Sequence, residues 1–290
     1  MYQRILIGID FSDSSIETVR WAVSRFPEAE LVLFHSIERF SVPGYLLREM
    51  GDRLDLLEEK ELDVRSNLEH IAERLVIEAT YDVRHGWTPE TLQLAAEEHG
   101  SELIVAGAHQ KRVWPTDELG QTCAAIVRRA EIPVLVWRPV RAEKDKTIIA
   151  ALDLREGSAP VAATAARYAE YFKTRLVLLH AMPGTLQAYL RAVSSPSKVD
   201  EALERIERQA REDALDRVPA ALRETLQVQA SIVRGRPIVT HILSAAEAEN
   251  ADLIVIGKAH APGIQGRVLL GGITSQVIQG ANCSVLTIPL

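Results

Sequence analysis

Short runs of apolar residues alternate along the chain with longer segments in which apolar residues recur at helical spacing. Residues 3–9 form the first apolar run, and residues 14–26 follow with Ile16, Val19 and Val23 three or four positions apart. A continuous apolar run is typical of a strand buried on both faces of a parallel sheet, and the wider spacing is typical of an amphipathic helix. The pattern therefore predicts an α/β fold.

The same pattern predicts the other elements of both halves. In the first half it indicates strands at 31–35, 79–84, 103–107 and 134–137, and helices at 89–98 and 121–129. It also indicates a long helix within the segment 42–75, whose early part around Pro43 is expected to be a loop. In the second half it indicates strands at 147–152, 175–181, 228–233, 253–257 and 285–288, helices at 160–172, 199–216 and 237–248, and a helix that starts at Ile273. Asp13 or Ser14 is predicted as the N-cap of the helix at 14–26.

The two halves of the chain repeat one another. RILIGIDFSDSS at residues 4–15 matches TIIAALDLREGS at 147–158, and ELIVAG at 102–107 matches DLIVIG at 252–257. An internal repeat of this kind indicates a tandem duplication. It predicts two domains, 1–140 and 147–290, each a doubly wound, mostly parallel five-stranded sheet, with a charged linker between them.

The carboxyl ends of the predicted strands carry the candidate chemistry, because ligands of doubly wound sheets bind there. Asp10, His35 and Gly107 end strands of the first half, and Asp153, His180 and Gly257 end the matching strands of the second. A glycine-rich loop then leads from Gly257 to a helix start. Glycines allow a close backbone approach, and a helix N-terminus favours an anion. Without the terminal Lys-Ser/Thr of a P-loop, spacing alone leaves open a mere connector.

These motifs together resemble the universal stress proteins in their tandem form. The resemblance rests on the I-L-I-x-I-D opening strand, the second strand that ends in His, the D/E-L-I-V-x-G strand, the glycine loop and the final P-V-L-V strand. It implies a Rossmann-like, adenine nucleotide alpha hydrolase-like fold, with Asp10 and Asp153 near the adenine of bound ATP. It also implies that the last strands of the two halves pair with each other, and an apolar edge strand needs such a partner.

The two glycine loops depart differently from the family pattern. In the first half Gln110 and Gln121 replace small residues, which predicts a degenerate site. In the second half Gly272 replaces the family's Ser, but its backbone N–H is still suited to an anion, and Lys258, His260 and Arg267 add positive charge. The predicted nucleotide-binding residues are Asp153, His180, Gly257, His260, Gly271, Gly272, Ile273 and Thr274 in the second half, and Asp10, Gly107 and Gly120 in the first.

Two other functions are compatible with the same residues. Each half has two His and one Asp near strand ends, with His109 and His260 as the second histidines, and this composition suits zinc in a metal-dependent hydrolase. The histidines and aspartates also have local alternatives, as hydrogen-bond partners and turn or helix caps. In the third hypothesis the loops are relics, and the chain is a nucleotide-free interaction module that uses the charged helices at 50–75 and 199–216.

Composition narrows these choices. The chain has 290 residues and a formal net charge of −7, which argues against a nucleic-acid partner. It has no apolar run of membrane-spanning length and opens without a leader. Cys123 and Cys283 are predicted to be small buried residues rather than a disulfide. We therefore expect a cytoplasmic stress-response regulator that binds ATP in at least the second domain, with at most slow hydrolysis. Its protein partners and any homodimer are left open.

Overall fold

The computed structural model describes residues 1–38, 54–108, 121–139, 147–182, 184–193, 196–235, 237–258 and 272–290. The chain divides into two compact units, Met1–Trp137 and Arg138–Leu290. Each unit is a five-stranded parallel sheet with helices between its strands, so the predicted fold class of two tandem α/β units is confirmed. The pairing of the units through their last strands stays a prediction.

The first unit has the strand order β3-β2-β1-β4-β5. Its strands are β1 (Arg4–Gly8), β2 (Glu30–Ile37), β3 (Ala79–His85), β4 (Leu103–Gly107) and β5 (Val134–Trp137). Its described helices are α1 (Asp13–Arg25), α2 (Leu54–Leu75), α3 (Thr88–Glu98) and α4 (Gln121–Arg129). Since β1 lies between β2 and β4, strand order reverses at β1, which places a cleft at its carboxyl end.

The second unit repeats this arrangement as β10-β9-β6-β7-β8. Its strands are β6 (Thr147–Ala151), β7 (Arg175–Ala181), β8 (Val228–Val233), β9 (Leu253–Lys258) and β10 (Ser284–Pro289). Its described helices are α5 (Ser158–Phe172), α6 (Gly184–Val193), α7 (Pro196–Asp216), α8 (Ala220–Thr225), α9 (Ile238–Ala248) and α10 (Gly272–Gly280). The reversal of strand order falls at β6, between β7 and β9.

Helices cover both faces of the first sheet. A Cβ at Gly8 would lie 3.4 Å from Leu92 Cδ1 of α3, whereas a Cβ at Gly107 would lie 2.8 Å from Thr18 Oγ1 of α1. Gly8 pairs with Ala106, so Gly107 faces the opposite side, and α1 and α3 lie on opposite faces. This explains why Ile5, Leu6 and Ile7 are all fully buried although neighbouring side chains alternate in direction.

The structure differs from the predicted elements mainly at helices. α6 and α8 were not predicted. The six residues of α8 include none that is buried, so no apolar period marks it. Pro183 precedes α6 and Gly184 is its first residue, and the Pro-Gly pair looks like a turn in the sequence. Helix α5 begins at Ser158 rather than residue 160, and α7 at Pro196 rather than 199. Residues 42–53 of the segment that holds the predicted long helix lie outside the described residues.

Candidate functional site

A cavity of about 340 Å³ opens at the carboxyl ends of β1, β2 and β4 in the first unit. Asp10, His35 and Gly107, which were predicted from their places at strand ends, all line it. Polar residues that were not predicted complete much of its wall: Ser12, Ser15, Ser36, Glu38, Lys60, Thr88 and Thr122. Gly120, Gln110 and His109, which belong to the first glycine loop, lie outside the described residues.

Asp10 holds a tight turn between β1 and α1. Its Oδ1 accepts hydrogen bonds from the Ser12 backbone N–H at 3.0 Å and from Ser12 Oγ at 2.6 Å. Ser12 Oγ in turn accepts from Ser15 N at 3.2 Å and is the N-cap of α1. The prediction of Asp13 or Ser14 as the cap is therefore wrong, because the bond to Asp10 places the Ser12 hydroxyl at the helix start. Between Asp10 and Ser12, Phe11 takes a left-handed φ of 62°.

His35 is anchored to the same strand end. Its Nδ1 lies 2.7 Å from the Ile9 carbonyl oxygen, and its ring contacts the Phe11 ring with centroids 4.8 Å apart. Burial lowers the pKa of His35, and this outweighs the Ile9 hydrogen bond and the nearby Asp10, which both raise it. A neutral His35 must carry its proton on Nδ1 to donate to Ile9, which leaves Nε2 as an acceptor. The hydrogen bond to Ile9 is the local role that was the alternative to metal binding for His35.

A second cavity, of about 320 Å³, opens at the equivalent place in the second unit. Asp153, His180 and Gly257 line it, together with Gly272, Ile273 and Thr274 at the start of α10. These six belong to the eight residues predicted for this half. The other two, His260 and Gly271, lie outside the described residues, as does Arg267. His180 Nδ1 lies 2.9 Å from the Leu152 carbonyl oxygen, which repeats the bond made by His35.

The Asp153 carboxylate closes a turn like that of Asp10. Its Oδ1 accepts from Arg155 N at 3.0 Å and from Ser158 Oγ at 2.5 Å. Leu154 between them has a φ of 59°, matching Phe11 in the first unit. Burial raises the pKa of Asp153, but the hydrogen bonds from Ser158 and Arg155 outweigh it, so the net pKa is lowered. Asp153 is therefore an ionised acceptor at neutral pH.

The helix that follows each loop is tied to the strand before it. Thr274 Oγ1 donates to the Gly257 carbonyl at 3.0 Å, and Cys123 Sγ lies 3.5 Å from the Gly107 carbonyl oxygen. These bonds hold the first turn of α10, and of α4 in the first unit, at the strand ends. Both Cys123 and Cys283 are buried thiols, as predicted.

Lys258 ends β9 and is not among the described residues that line the second cavity. It is 1% exposed and follows Gly257 in β9, so its side chain points to the opposite face of the sheet. That Lys258 adds positive charge beside a triphosphate stays a prediction, because the loop that follows it lies outside the described residues.

The two cavities differ in polarity on one wall. In the first unit Glu38 Oε1 accepts from Thr88 N at 3.3 Å and from Thr88 Oγ1 at 2.7 Å. The residue equivalent to Thr88 at the start of α9 is Ile238, which lines the second cavity with Ile242. None of these was predicted as a site residue. Their positions just after β2, or at the helix starts that follow the third strand of each unit, were the available signal.

The metal hypothesis depends on residues that are only partly described. Within the parts of the chain given by the structure, no group of three or more His, Cys, Asp or Glu side chains is placed to hold a metal ion. His109 and His260, on which the proposed clusters also depend, lie outside those parts. Likewise, none of the described helices is both long and apolar enough to span a membrane.

Comparison with known proteins agrees with this architecture. The model of the universal stress protein family matches residues 1–138 and 145–289, so the chain belongs to the universal stress protein family, in its tandem form. The crystal structure of a universal stress protein from Archaeoglobus fulgidus DSM 4304 is 16% identical, covers 99% of this chain and 96% of that chain, and has a TM-score of 0.66.

A second solved structure shows the same fold. A functionally unknown protein, PA1789 from Pseudomonas aeruginosa PAO1, is 18% identical, covers 99% of this chain and 92% of that chain, and has a TM-score of 0.64. Comparison with curated proteins finds no match.

Proposed function

We propose that this chain is a stress-response regulator that binds an adenine nucleotide, ATP, in the cavity of the second unit. One observation carries this proposal. Asp153, His180, Gly257 and the first turn of α10 surround a single cavity of about 320 Å³, although they come from four separate segments of the chain. That volume lies in the range of small-molecule sites.

The chemistry of this cavity suits a nucleoside with phosphates. An ionised Asp153 accepts hydrogen bonds, so it suits the exocyclic amine of adenine, and Ile238 and Ile242 offer apolar surface for a base. The N-terminus of α10 begins at Gly272, where backbone N–H groups and the helix dipole favour a phosphate. We assign no catalytic residue, and the cytoplasmic location and any association of two chains stay predictions from the sequence.

A matched pair of substitutions tests the assignment to the second unit. Ile238 and Thr88 occupy equivalent positions, at the first residue of α9 and of α3, and each lines its own cavity. We expect Ile238→Trp to fill the second cavity and lower ATP affinity by about tenfold or more, and Thr88→Trp to leave it nearly unchanged. Calorimetric titration measures both, with a stoichiometry near one ATP per chain expected for the wild type.

Three results would count against the proposal. Wild-type protein that shows no heat of binding with millimolar ATP, and no ATP or ADP released on denaturation, would refute nucleotide binding. Equal losses from the two substitutions would refute the assignment to one unit. Loss from Thr88→Trp alone would move the site to the first unit.

An interaction module is the second candidate, favoured by exposed apolar side chains on α6. Tyr189 is 65% exposed and Val193 61% exposed, and their spacing of four residues puts them on one face of the helix. Tyr189→Ser with Val193→Ser would weaken a partner complex without changing ATP binding. Nucleotide that co-purifies with the chain favours the first candidate, and its absence favours this one.

A further inference from the structure

Leu290 lines the second cavity beside Gly257, the glycine that begins the predicted ligand loop. Its backbone N–H donates to the Lys258 carbonyl at 3.2 Å, which continues the pairing of β10 with β9. A Cβ placed on Gly257 would lie only 2.7 Å from Leu290 Cδ1, and one on Gly157 would lie 3.2 Å from the same atom. Leu290 therefore occupies the space that the two glycines leave open.

The first unit places different chemistry at the same point. There Gly107 faces hydroxyl groups, since a Cβ on it would lie 2.8 Å from Thr18 Oγ1 and 3.2 Å from Ser14 Oγ. In the second unit Gly257 faces the methyl groups of Leu290 and Val161. A Cβ on Gly257 would lie 3.2 Å from Val161 Cγ2. Both hydroxyls donate within the first unit, Ser14 Oγ to the Ala108 carbonyl at 3.1 Å and Thr18 Oγ1 to the Ser14 carbonyl at 2.8 Å. The methyl groups at the matching point of the second unit would remove the water of a phosphate and return no hydrogen bond.

We propose that Leu290 is a specificity-determining residue of the second cavity. It leaves room for the nucleoside part of a ligand and disfavours a phosphate at Gly257. This inference rests on the proposed function and adds which part of the ligand the site selects. Leu290 is 42% exposed, so it is held by moderate apolar contact and can be displaced. Moving it into water would reduce the affinity for a ligand whose phosphate contacts Gly257 by about tenfold.

The test compares adenosine, AMP and ATP on wild type and Leu290→Ala by calorimetric titration of the full chain. We expect the substitution to raise ATP affinity by about tenfold and to change adenosine affinity by less than about twofold. The control, Ile238→Ala, truncates another apolar residue that lines the cavity, and it should weaken adenosine and ATP by the same factor.

The outcomes separate the two proposals. An equal change for adenosine and ATP in Leu290→Ala, or no change for ATP, overturns the role of Leu290 and leaves nucleotide binding intact. Absence of binding for all three compounds in both proteins overturns the proposed function and this inference together. As a check on mechanism, Gly257→Ala should lower the melting temperature more in the wild type than in the Leu290→Ala background. Equal losses would show that Leu290 does not press on Gly257.

Discussion

A partly buried ion network in the first unit allows a stability prediction to be worked through from distances. Asp82 of β3 accepts from Arg84 Nε at 3.0 and 3.1 Å, from Arg84 Nη2 at 2.7 Å, and pairs with His99 Nε2 at 2.8 Å. Arg84 Nη2 also reaches Glu98 Oε2 at 2.7 Å. The Asp82 side chain is only 12% exposed, whereas that of Glu98 is 66% exposed. The network should therefore depend mostly on Asp82.

We expect Asp82→Asn to destabilise the first unit by about 2 kcal/mol. Hydrogen bonds to charged groups contribute about 1.5–3 kcal/mol each, but the amide oxygen still accepts one bond and Arg84 keeps Glu98. For a unit of this size that change lowers the melting temperature by about 4–8 °C. The matched control Glu98→Gln, at an exposed ion pair, should cost less than about 1 kcal/mol.

Tryptophan fluorescence measures the first unit separately, because all four tryptophans of the chain fall within residues 1–137. Urea unfolding followed by this signal gives the free energy of unfolding of wild type, Asp82→Asn and Glu98→Gln. Monitoring one unit avoids treating a two-unit chain as a single two-state transition. Equal free energies for the two variants would refute the reasoning from burial.

The same experiment has a defined pH dependence. Burial raises the pKa of Asp82, but the hydrogen bonds from Arg84 and His99 outweigh it and hold the net pKa below the ordinary value. A carboxyl group with a lowered folded pKa stabilises fully above its unfolded pKa of about 3.9, and this contribution is lost as the pH falls through the folded pKa. The difference between wild type and Asp82→Asn should therefore narrow in acid. A difference that widens as the pH falls would contradict the direction of the shift.

Two further predictions concern a histidine and a pair of glycines. Burial lowers the pKa of His35, so NMR titration of its ring should give a value below 6.5, and a value above 6.5 would refute the neutral ring assigned to the first cavity. Gly280→Ala should destabilise the second unit by about 1–2 kcal/mol, because the new Cβ would lie 2.6 Å from Leu243 Cδ1. The control Gly184→Ala should not destabilise it, because nothing lies within 4 Å of the new Cβ. Equal melting temperatures for the two variants would contradict this steric argument.

The sequence alone determined the fold class and the repeat. In the first unit its apolar runs are continuous because helices cover both faces of the sheet, and a strand buried on both sides needs no polar alternation. The positions of Asp10, His35, Gly107 and their counterparts at strand ends followed from the same pattern. Parallel strands bring their carboxyl ends to one edge, so residues far apart in sequence were correctly expected to lie together.

Only the tertiary structure decided which side chains face the cavities. Lys258 follows Gly257 directly, but successive residues of a strand point to opposite faces, so its side chain leaves β9 on the face opposite to that of Gly257. Ser12, rather than Asp13, caps α1 because Asp10 binds its hydroxyl. Leu290 reaches Gly257 because β10 pairs with β9, a contact between residues far apart in the chain. No local pattern encodes such a contact, because it depends on register and packing between segments rather than on spacing within one.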